Sequence, residues 1–448
     1  MEIVIKLSQF LLSLSLLIIL HELGHFIPAK LFKTRVEKFY LFFDIKYSLL
    51  KKKIGETEYG IGWLPLGGYV KISGMIDESM DKEQMKLPPQ PWEFRSKPAW
   101  QRLIIMLGGV TVNFILAFVI YIGMTFFYGD LYLNNSELKD GIAVTSEVGE
   151  HMGFKTGDKI LEIDDEKVSK FNDVPNKILF AKTVLVERNG AQQKINLPVD
   201  LIDKLLKGEK RPFIDWREPF MVGKVAEDSS ANNKVLKPKD IIKSLNGIPT
   251  QYADQVVEIA KQNKDKKLDA VVLRDEKEVP VSLYINKEGK LGVFAASLGV
   301  KSLEKLGLYH FSKQQYGFFE SFPVGIEKGK NQLAGYGKQL KAIFTPSTGA
   351  YKGVGGFKAI FDIFPKTWSW EVFWNITALL SIMLGVMNLL PIPALDGGHV
   401  MFLIYEMITG KKPSDKFMEN AQMVGFVLLI GLLLFANGND IYKAIFHK

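Results

Sequence analysis

The chemistry of this sequence starts near its N-terminus, where His21 and His25 stand four residues apart with Glu22 between them. Residues four apart lie on one face of a helix, so both imidazoles can bind one metal ion. The glutamate beside the first histidine can then accept a proton from a water molecule that the metal activates. The chain contains no cysteine, and any metal must therefore be bound by His, Asp or Glu.

A catalytic zinc site needs a third protein ligand, which we predict to be Asp396. It is the only acidic residue between Glu371 and Glu406. The prolines and the Gly-Gly pair around it predict irregular backbone, which is tolerated at membrane depth only where it is buried or lines a cavity. His399, three residues further on, is a rival ligand. The other histidines are predicted to lie at the surface, away from this site: His151, His310 and His447.

Membrane-spanning helices must position these residues, because the histidine motif directly follows a long apolar stretch. A span needs about 20 mostly apolar residues. We predict spans within residues 1–35, 100–129, 370–400 and 419–439. A cleaved signal peptide is the alternative for the first stretch. Few basic residues precede its apolar run, however, and no small-x-small cleavage site follows it, which favours a span.

The membrane topology follows from counting these spans. Segments 30–102 and 410–416 fall on one side and are basic, and positive loops face the cytoplasm. Both termini and the long segment 130–370 are then predicted to lie outside, with the metal site near the cytoplasmic face. The formal net charge of +8 is spread along the chain rather than gathered on one face, which argues against a nucleic-acid partner.

The middle of the chain contains a weak internal repeat. Residues 155–165 resemble residues 237–247, each with a turn, a short apolar strand and a second tight turn. We predict two tandem β-rich modules, at 134–216 and 219–296, rather than two unrelated hairpins. In the connecting segment 297–369, apolar residues recur at helical spacing. This pattern predicts an amphipathic helix, either on the membrane surface or packed on the second module.

Two glycine-rich segments need separate interpretations. Tyr59 to Ser73, within the cytoplasmic segment 36–99, alternates apolar residues and has turn glycines. We predict that it forms a membrane-associated β-hairpin or loop beside the metal site. Gly353 to Gly356 resembles a nucleotide-binding loop only loosely, because it lacks the strand-to-helix context and a following Lys-Ser/Thr.

Together these residues resemble the site-2 protease family of intramembrane zinc metalloproteases. The resemblance rests on His21-Glu22-x-x-His25 in the first span and on Asn388-x-x-Pro391-x-x-x-Leu395-Asp396-Gly397 near the third. It implies a Zn²⁺ cofactor bound by His21, His25 and Asp396, with Glu22 as the catalytic base. It also implies substrate-binding roles for Asn388, Gly67, Gly68, Tyr69 and Val70. In one departure, Gly109 is followed by Val110 where the family often has proline, which leaves the role of Asn113 open.

The resemblance also implies a fold and an activity. The fold class is a multi-domain membrane protein with a four-span α-helical transmembrane core and two tandem PDZ-like domains between spans two and three. It would lie in the bacterial inner membrane and hydrolyse peptide bonds in transmembrane segments of single-span proteins. Such regulated intramembrane proteolysis implies an anti-sigma factor or signal peptides as substrates, and peptide C-termini as ligands of the PDZ-like domains.

Two other classes of function compete with the protease. One is a membrane-anchored peptide-binding scaffold with a structural metal site, but such a site would be closed by four ligands and would not need the glutamate. The other is a metal transporter, which would need ionisable residues within several spans. The sequence leaves open whether the modules bind peptides or exclude bulky ectodomains.

Overall fold

The computed structural model describes residues 1–65, 67–75, 88–208, 212–225 and 232–446. His447, predicted to lie at the surface, falls outside these residues. The chain forms two compact units, and each is described by itself. The first unit comprises Met1–Gly129, Gln315–Lys341 and Val354–Lys448, and the second comprises Asp130–Gln314 and Ala342–Gly353.

The elements are numbered in chain order over the described residues. The α-helices are α1 Glu2–Leu31, α2 Ala99–Phe127, α3 Glu147–His151, α4 Val174–Ile178, α5 Leu201–Lys207, α6 Ala253–Gln262, α7 Val300–Lys305, α8 Phe318–Ile343, α9 Phe357–Asp362, α10 Trp370–Leu389, α11 Asp396–Thr409 and α12 Asp415–Phe446. The β-strands are β1 Val36–Leu41, β2 Phe43–Ile54, β3 Thr57–Leu64, β4 Tyr69–Ile72, β5 Asp130–Leu133, β6 Ile142–Val144, β7 Lys159–Ile163, β8 Glu166–Lys167, β9 Thr183–Arg188, β10 Ala191–Asn196, β11 Ile214–Trp216, β12 Met221–Val225, β13 Ile241–Leu245, β14 Ile248–Pro249, β15 Lys267–Arg274, β16 Lys277–Tyr284, β17 Val293–Ala296 and β18 Phe311–Gln314.

Four helices of the described chain are long and apolar enough to cross a membrane: α1, α2, α10 and most of α12. They confirm the four stretches predicted from the sequence. The third ends at Leu389, before the predicted limit, because Pro391 and Pro393 cannot donate backbone hydrogen bonds to a continuing helix. A separate helix, α11, begins at Asp396, and this short helix was not predicted.

The first three of these helices pack tightly through small and polar residues. A Cβ atom on Gly108 would lie 1.9 Å from the carbonyl oxygen of Gly24, so the backbones of α1 and α2 are in direct contact. Ser13 on α1 shares a hydrogen bond of 2.9 Å with Thr377 on α10. Close backbone approach and buried polar bonds are the usual means of joining helices in a membrane, where lipid removes most of the hydrophobic driving force.

A four-stranded sheet follows α1 and has the order β2-β3-β1-β4. Strand β1 runs parallel to β3 and antiparallel to β4. The predicted hairpin at 59–73 is therefore wrong in its pairing, since β3 and β4 are separated by β1 and the hairpin is formed by β2 and β3. The reason is that β1 has two backbone edges to satisfy, and each of these strands pairs with one of them.

The predicted amphipathic helix is α8, and its buried face belongs to the first unit. Cβ atoms on Gly325 and Gly329 would lie 2.5 Å from Ile122 and Phe118 of α2. Tyr336 of α8 is buried in a hydrophobic cluster with residues of α2 and α10. Other positions of α8 expose hydrophobic side chains such as Phe319. Packing on the spans through a small-xxx-small surface thus accounts for the helical spacing seen in the sequence.

Two glycines of the 353–356 segment, Gly355 and Gly356, lie where α9 packs against α12. The carboxylate of Asp440 on α12 accepts hydrogen bonds from the backbone N–H groups of Gly356, at 2.9 Å, and Ala359, at 3.1 Å. It therefore caps the N-terminus of α9 from a distant part of the chain. A Cβ atom on Gly356 would lie 2.5 Å from Asn437 Oδ1, which explains the small residue there without a nucleotide.

The second unit contains two hydrophobic cores and a repeated strand pattern. One sheet has the order β10-β9-β7-β8. In the other, β16, β15 and β13 follow one another and β14 pairs with β13. The repeat noticed in the sequence coincides with β7-β8 and β13-β14, so corresponding segments occupy corresponding places in two similarly ordered sheets.

A buried ion pair is duplicated with the strand pattern. Arg188 donates two hydrogen bonds of 2.7 Å to Asp158, and Arg274 donates bonds of 2.8 and 2.6 Å to Asp240. Burial raises the pKa of Asp240, but the hydrogen bonds from Arg274 and from the Lys237 N–H outweigh it and hold this pKa below its usual range. Because breaking such a pair would leave an uncompensated charge, each acid depends on its arginine.

The hydrophobic core of the first module also contains residues that follow the second module in sequence. Leu298, Leu303, Tyr309 and Phe311 are buried in it, and β18 pairs with β5. The predicted boundary at residue 297 therefore separates residues that pack together. The sequence could not reveal this, because the return of a chain to an earlier core depends on long-range packing and not on a local pattern.

Candidate metal centre

The last turns of α1 and the N-terminus of α11 bring three possible metal ligands together. His21 and His25 are one turn apart on α1 and both are buried. Oδ2 of Asp396 lies 3.4 Å from Nε2 of His21 and 3.3 Å from Nε2 of His25. The two Nε2 atoms are themselves 3.3 Å apart. Among the described residues, these three form the group of His and acidic side chains able to hold a metal ion.

The shape of this triangle fits zinc. Zinc bonds of about 2.0–2.1 Å in tetrahedral geometry place ligand atoms roughly 3.3–3.4 Å apart, which agrees with all three distances. Oδ2 of Asp396 is also buried without a hydrogen-bond partner among the described residues. An unpaired buried carboxylate oxygen facing two imidazoles is costly unless a cation joins them, so the residues present fit the metal.

A buried carbonyl orients the second histidine. Nδ1 of His25 lies 2.8 Å from the carbonyl oxygen of Ile105 on α2. A carbonyl oxygen can only accept, so Nδ1 carries the proton and Nε2 keeps its lone pair toward the triangle. His21 has two amide neighbours: Asn113 on α2, 3.0 Å from Nδ1, and Asn388 on α10, 3.3 Å from Nε2.

Tight backbone packing places Asp396. A Cβ atom on Gly397 would lie 2.3 Å from the carbonyl oxygen of Leu390, and one on Gly398 would lie 2.6 Å from that of Ile392. Only glycine fits at these positions without moving the turn between α10 and α11. Helix α11, which begins at Asp396, is joined to α2 by an ion pair between Arg102 and Glu406. The position of the Asp396 carboxylate is therefore set by the packed turn before α11 and by this ion pair.

A cavity of about 480 Å³ opens from the three residues. Glu22 lines it beside the histidines, and strand β4 forms part of its wall with Gly68, Tyr69 and Val70. A Cβ atom on Gly68 would lie 2.4 Å from Ile18 of α1, so the start of this strand can approach the metal-binding helix only because it lacks a side chain. Gly67 faces Phe43 and is not among the residues that line the cavity.

A polar network supports the wall formed by β4. The hydroxyl of Tyr69 donates to Oδ1 of Asp44 at 2.8 Å, and Lys38 lies 3.5 Å from Oδ2. Burial raises the pKa of Asp44, but the Tyr69 hydrogen bond and the Lys38 charge outweigh it and lower this pKa overall. Tyr69 also stacks between Tyr40 and Phe43. No local sequence pattern indicates this network, because its members come from three strands.

Most of the residues predicted for the site lie around one cavity. His21, His25 and Asp396 converge, Glu22 faces the same space, and Asn388 contacts His21. His399 lines the cavity but is not part of the metal-binding triangle. His151 and His310 belong to the second unit. Two further neighbours of the triangle are Gly109 and Asn113, whose role was left open in the sequence analysis, and their spacing of four on one helix was the signal available in the sequence.

Replacing Gly109 with alanine is expected to weaken zinc binding about 10- to 100-fold, as loss of support around metal ligands commonly does. The new Cβ atom would lie 2.3 Å from Nε2 of His25 and 2.7 Å from Cε1 of His21, so the ligands must move. Chelator competition on the purified protein measures the effect. Gly123→Ala in the same helix is the control, since nothing lies within 4 Å of its Cβ position. Equal affinity in both variants would contradict the packing.

Apolar spans around a buried cluster of two histidines and a carboxylate define a membrane metalloprotease. The profile of peptidase family M50 matches residues 9–432. Relatives named "Putative zinc metalloprotease" include proteins of Rickettsia conorii, 26% identical over 444 residues (96% of this chain, 97% of the relative), and of Fusobacterium nucleatum, 29% identical over 436 residues (96% of each). One of Campylobacter jejuni is 28% identical over 442 residues (97% of this chain, 92% of the relative). The chain belongs to peptidase family M50, the site-2 protease family, and is a zinc metalloprotease of the membrane.

Proposed function

We propose that this protease cleaves single-span membrane proteins within or beside the bilayer. The observation that carries the proposal is the buried triangle of His21, His25 and Asp396, which opens with Glu22 into a cavity walled by a β-strand. The helix that bears His21, Glu22 and His25 is long and apolar enough to span a membrane. A substrate that reaches this cavity from the bilayer is itself an apolar segment.

Each residue has a separate role in the proposed mechanism. His21, His25 and Asp396 hold the zinc ion, which when bound supplies Lewis acidity that lowers the pKa of water and polarises the scissile carbonyl. Glu22 accepts the proton of the attacking water and passes it to the leaving amine. Asn388, whose amide lies 3.3 Å from Nε2 of His21, donates a hydrogen bond to the substrate backbone at the same place.

A substrate helix must unwind before cleavage, because helical hydrogen bonds occupy its carbonyl groups. Among the described strands, β4 is the last of its sheet, and it lines the cavity. The backbone N–H of Ser73 donates to Arg35, just before β1, at 3.0 Å. Because strand residues alternate in direction, the N–H and carbonyl groups of Val70 point away from β1. A substrate in extended form can add to this edge, which Gly68 allows to lie close to α1.

The change Val70→Pro is expected to reduce cleavage by about 10-fold or more without loss of zinc. Proline removes one backbone donor from the edge that would pair with substrate, while the pairing of β4 with β1 is kept. The control is Leu49→Pro at the opposite edge of the sheet, where the register of β2 is already irregular. Unchanged cleavage by the Val70 variant, or an equal loss in the Leu49 variant, would argue against strand addition.

The membrane orientation is also part of the proposal. The basic segments 30–102 and 410–416 support a cytoplasmic location for the metal site. Both termini and the β-rich modules would then lie on the periplasmic side of a bacterial inner membrane. Reporter fusions after Lys53 and within 261–267 test this orientation, and the same side for both would contradict it.

The two β-rich modules are proposed to be PDZ-like domains. Their repeated strand order and their duplicated ion pairs support a common origin. As domains between spans two and three, they would sort substrates, either by binding peptide C-termini or by excluding proteins whose ectodomain is still large. An anti-sigma factor and signal peptides are the proposed substrates in regulated intramembrane proteolysis.

The proposed function is tested by co-expression with a panel of tagged single-span membrane proteins. We expect some members to be cut, with the new ends mapped by mass spectrometry to the transmembrane segment or its edge. The control panel carries the same soluble domains without a span. Cleavage confined to the soluble domains would overturn the proposal of an intramembrane protease.

A further inference from the structure

Asn113 on α2 makes one side-chain contact that bears on the metal site. Its side chain is fully buried, and the amide atom placed as Nδ2 lies 3.0 Å from Nδ1 of His21. The atom placed as Oδ1 has no hydrogen-bond partner among the described residues. Since the oxygen and nitrogen of a carboxamide are told apart by their partners, the contact with His21 alone decides which atom faces the ring.

The proton on His21 decides that question. If Nε2 of His21 binds zinc, a neutral imidazole must carry its proton on Nδ1. That N–H needs an acceptor, and among the described residues the amide oxygen of Asn113 is the one placed to provide it. The opposite orientation would place an N–H donor against Nδ1 and move the ring proton to Nε2, where it would block the metal.

We propose that Asn113 is a positioning residue that accepts the Nδ1–H of His21 through Oδ1 and so fixes the tautomer and ring orientation for zinc binding. It does for His21 what the Ile105 carbonyl does for His25. The Asn113 backbone carbonyl is in turn held by a 2.7 Å hydrogen bond from Ser381 on α10. Metal-bound histidines generally donate their second N–H to such a partner.

This assignment also explains a local pattern in α2. Gly109 lies one turn before Asn113 on the same face, and its missing side chain makes room for both imidazoles. Gly109 and Asn113 together form a surface against which the two histidines fit. Val110 between them is buried in the helix but is not needed for either contact, so the absence of a proline there does not affect the role of Asn113.

The test measures zinc affinity of the purified full-length protein by chelator competition. Asn113→Leu keeps the approximate volume but cannot accept a hydrogen bond, and we expect about 10- to 100-fold weaker zinc binding. Asn113→Ala removes the acceptor without added bulk and is expected to show the same loss. Asn113→Asp keeps an acceptor in the same place and should bind zinc at least as tightly as the wild type. Visible absorption of the cobalt-substituted protein gives a second readout, with altered ligand-field bands expected only for Leu and Ala.

The controls separate this inference from the proposed function on which it rests. Ser13→Ala removes another buried hydrogen bond between spans and should leave zinc affinity unchanged. His21→Ala should lose zinc, and if the wild type itself bound none, the metal site would fail together with this inference. Wild-type affinity in the Leu and Ala variants, or a loss in the Asp variant equal to theirs, would overturn the role of Asn113 while leaving the metal site intact.

Discussion

Replacement of Glu22 by glutamine is expected to abolish peptide cleavage while zinc stays bound. Glu22 lines the cavity but is not one of the three converging ligands. Glutamine keeps the volume and can hydrogen-bond, yet it cannot accept the proton of the attacking water. General acid–base catalysis contributes about 10²–10⁴-fold, and because one group would serve both proton transfers, we expect turnover to fall by at least this amount.

The experiment has two readouts on the same purified protein and in the same cells. Zinc content should be about one per chain for wild type and Glu22→Gln, and cleavage of a single-span substrate should be lost only in the variant. Glu22→Asp keeps a shorter carboxylate and should retain partial activity. Glu150→Gln, which changes an exposed carboxylate of the second unit, is the control and should be fully active. Unchanged cleavage by Glu22→Gln would remove Glu22 from the mechanism and favour the scaffold hypothesis.

The change Asp396→Ala is expected to lower zinc content well below one per chain and to eliminate cleavage. It removes one of three ligands and leaves two histidines, which alone do not make a closed or a catalytic zinc site. Because Oδ2 of Asp396 has no other partner among the described residues, the folded protein loses little besides the metal. Zinc analysis after purification, with cleavage of the same single-span substrate, measures the result.

His399 provides the matched comparison for this experiment. It lines the cavity three residues further along α11 but is not part of the ligand triangle. We therefore expect His399→Ala to retain about one zinc per chain. The reverse result, with zinc kept in Asp396→Ala and lost in His399→Ala, would make His399 the third ligand and would contradict the geometry described above.

The sequence by itself determined the parts of the protein that depend on local spacing. Two histidines four apart share a helix face wherever that helix lies, and about 20 apolar residues make a span regardless of its neighbours. Pro391 and Pro393 likewise predicted irregular backbone around Asp396, although the end of the span at Leu389 came before the predicted limit. Asp396 was identified by topology and by the scarcity of acids near it, and the structure places it within 3.4 Å of both histidines.

The tertiary structure alone decided how distant segments meet. Insertion of β1 between β3 and β4 depends on which free backbone edges come together, and the sequence pattern was compatible with a simple hairpin. The return of residues 298–311 to the first core is equally non-local. Gly109 and Asn113 were noticed in the sequence, but the role of Asn113 stayed open there. Their importance emerged only when α2 packed against α1, because a missing Cβ atom or a single amide matters only in relation to the atoms it faces.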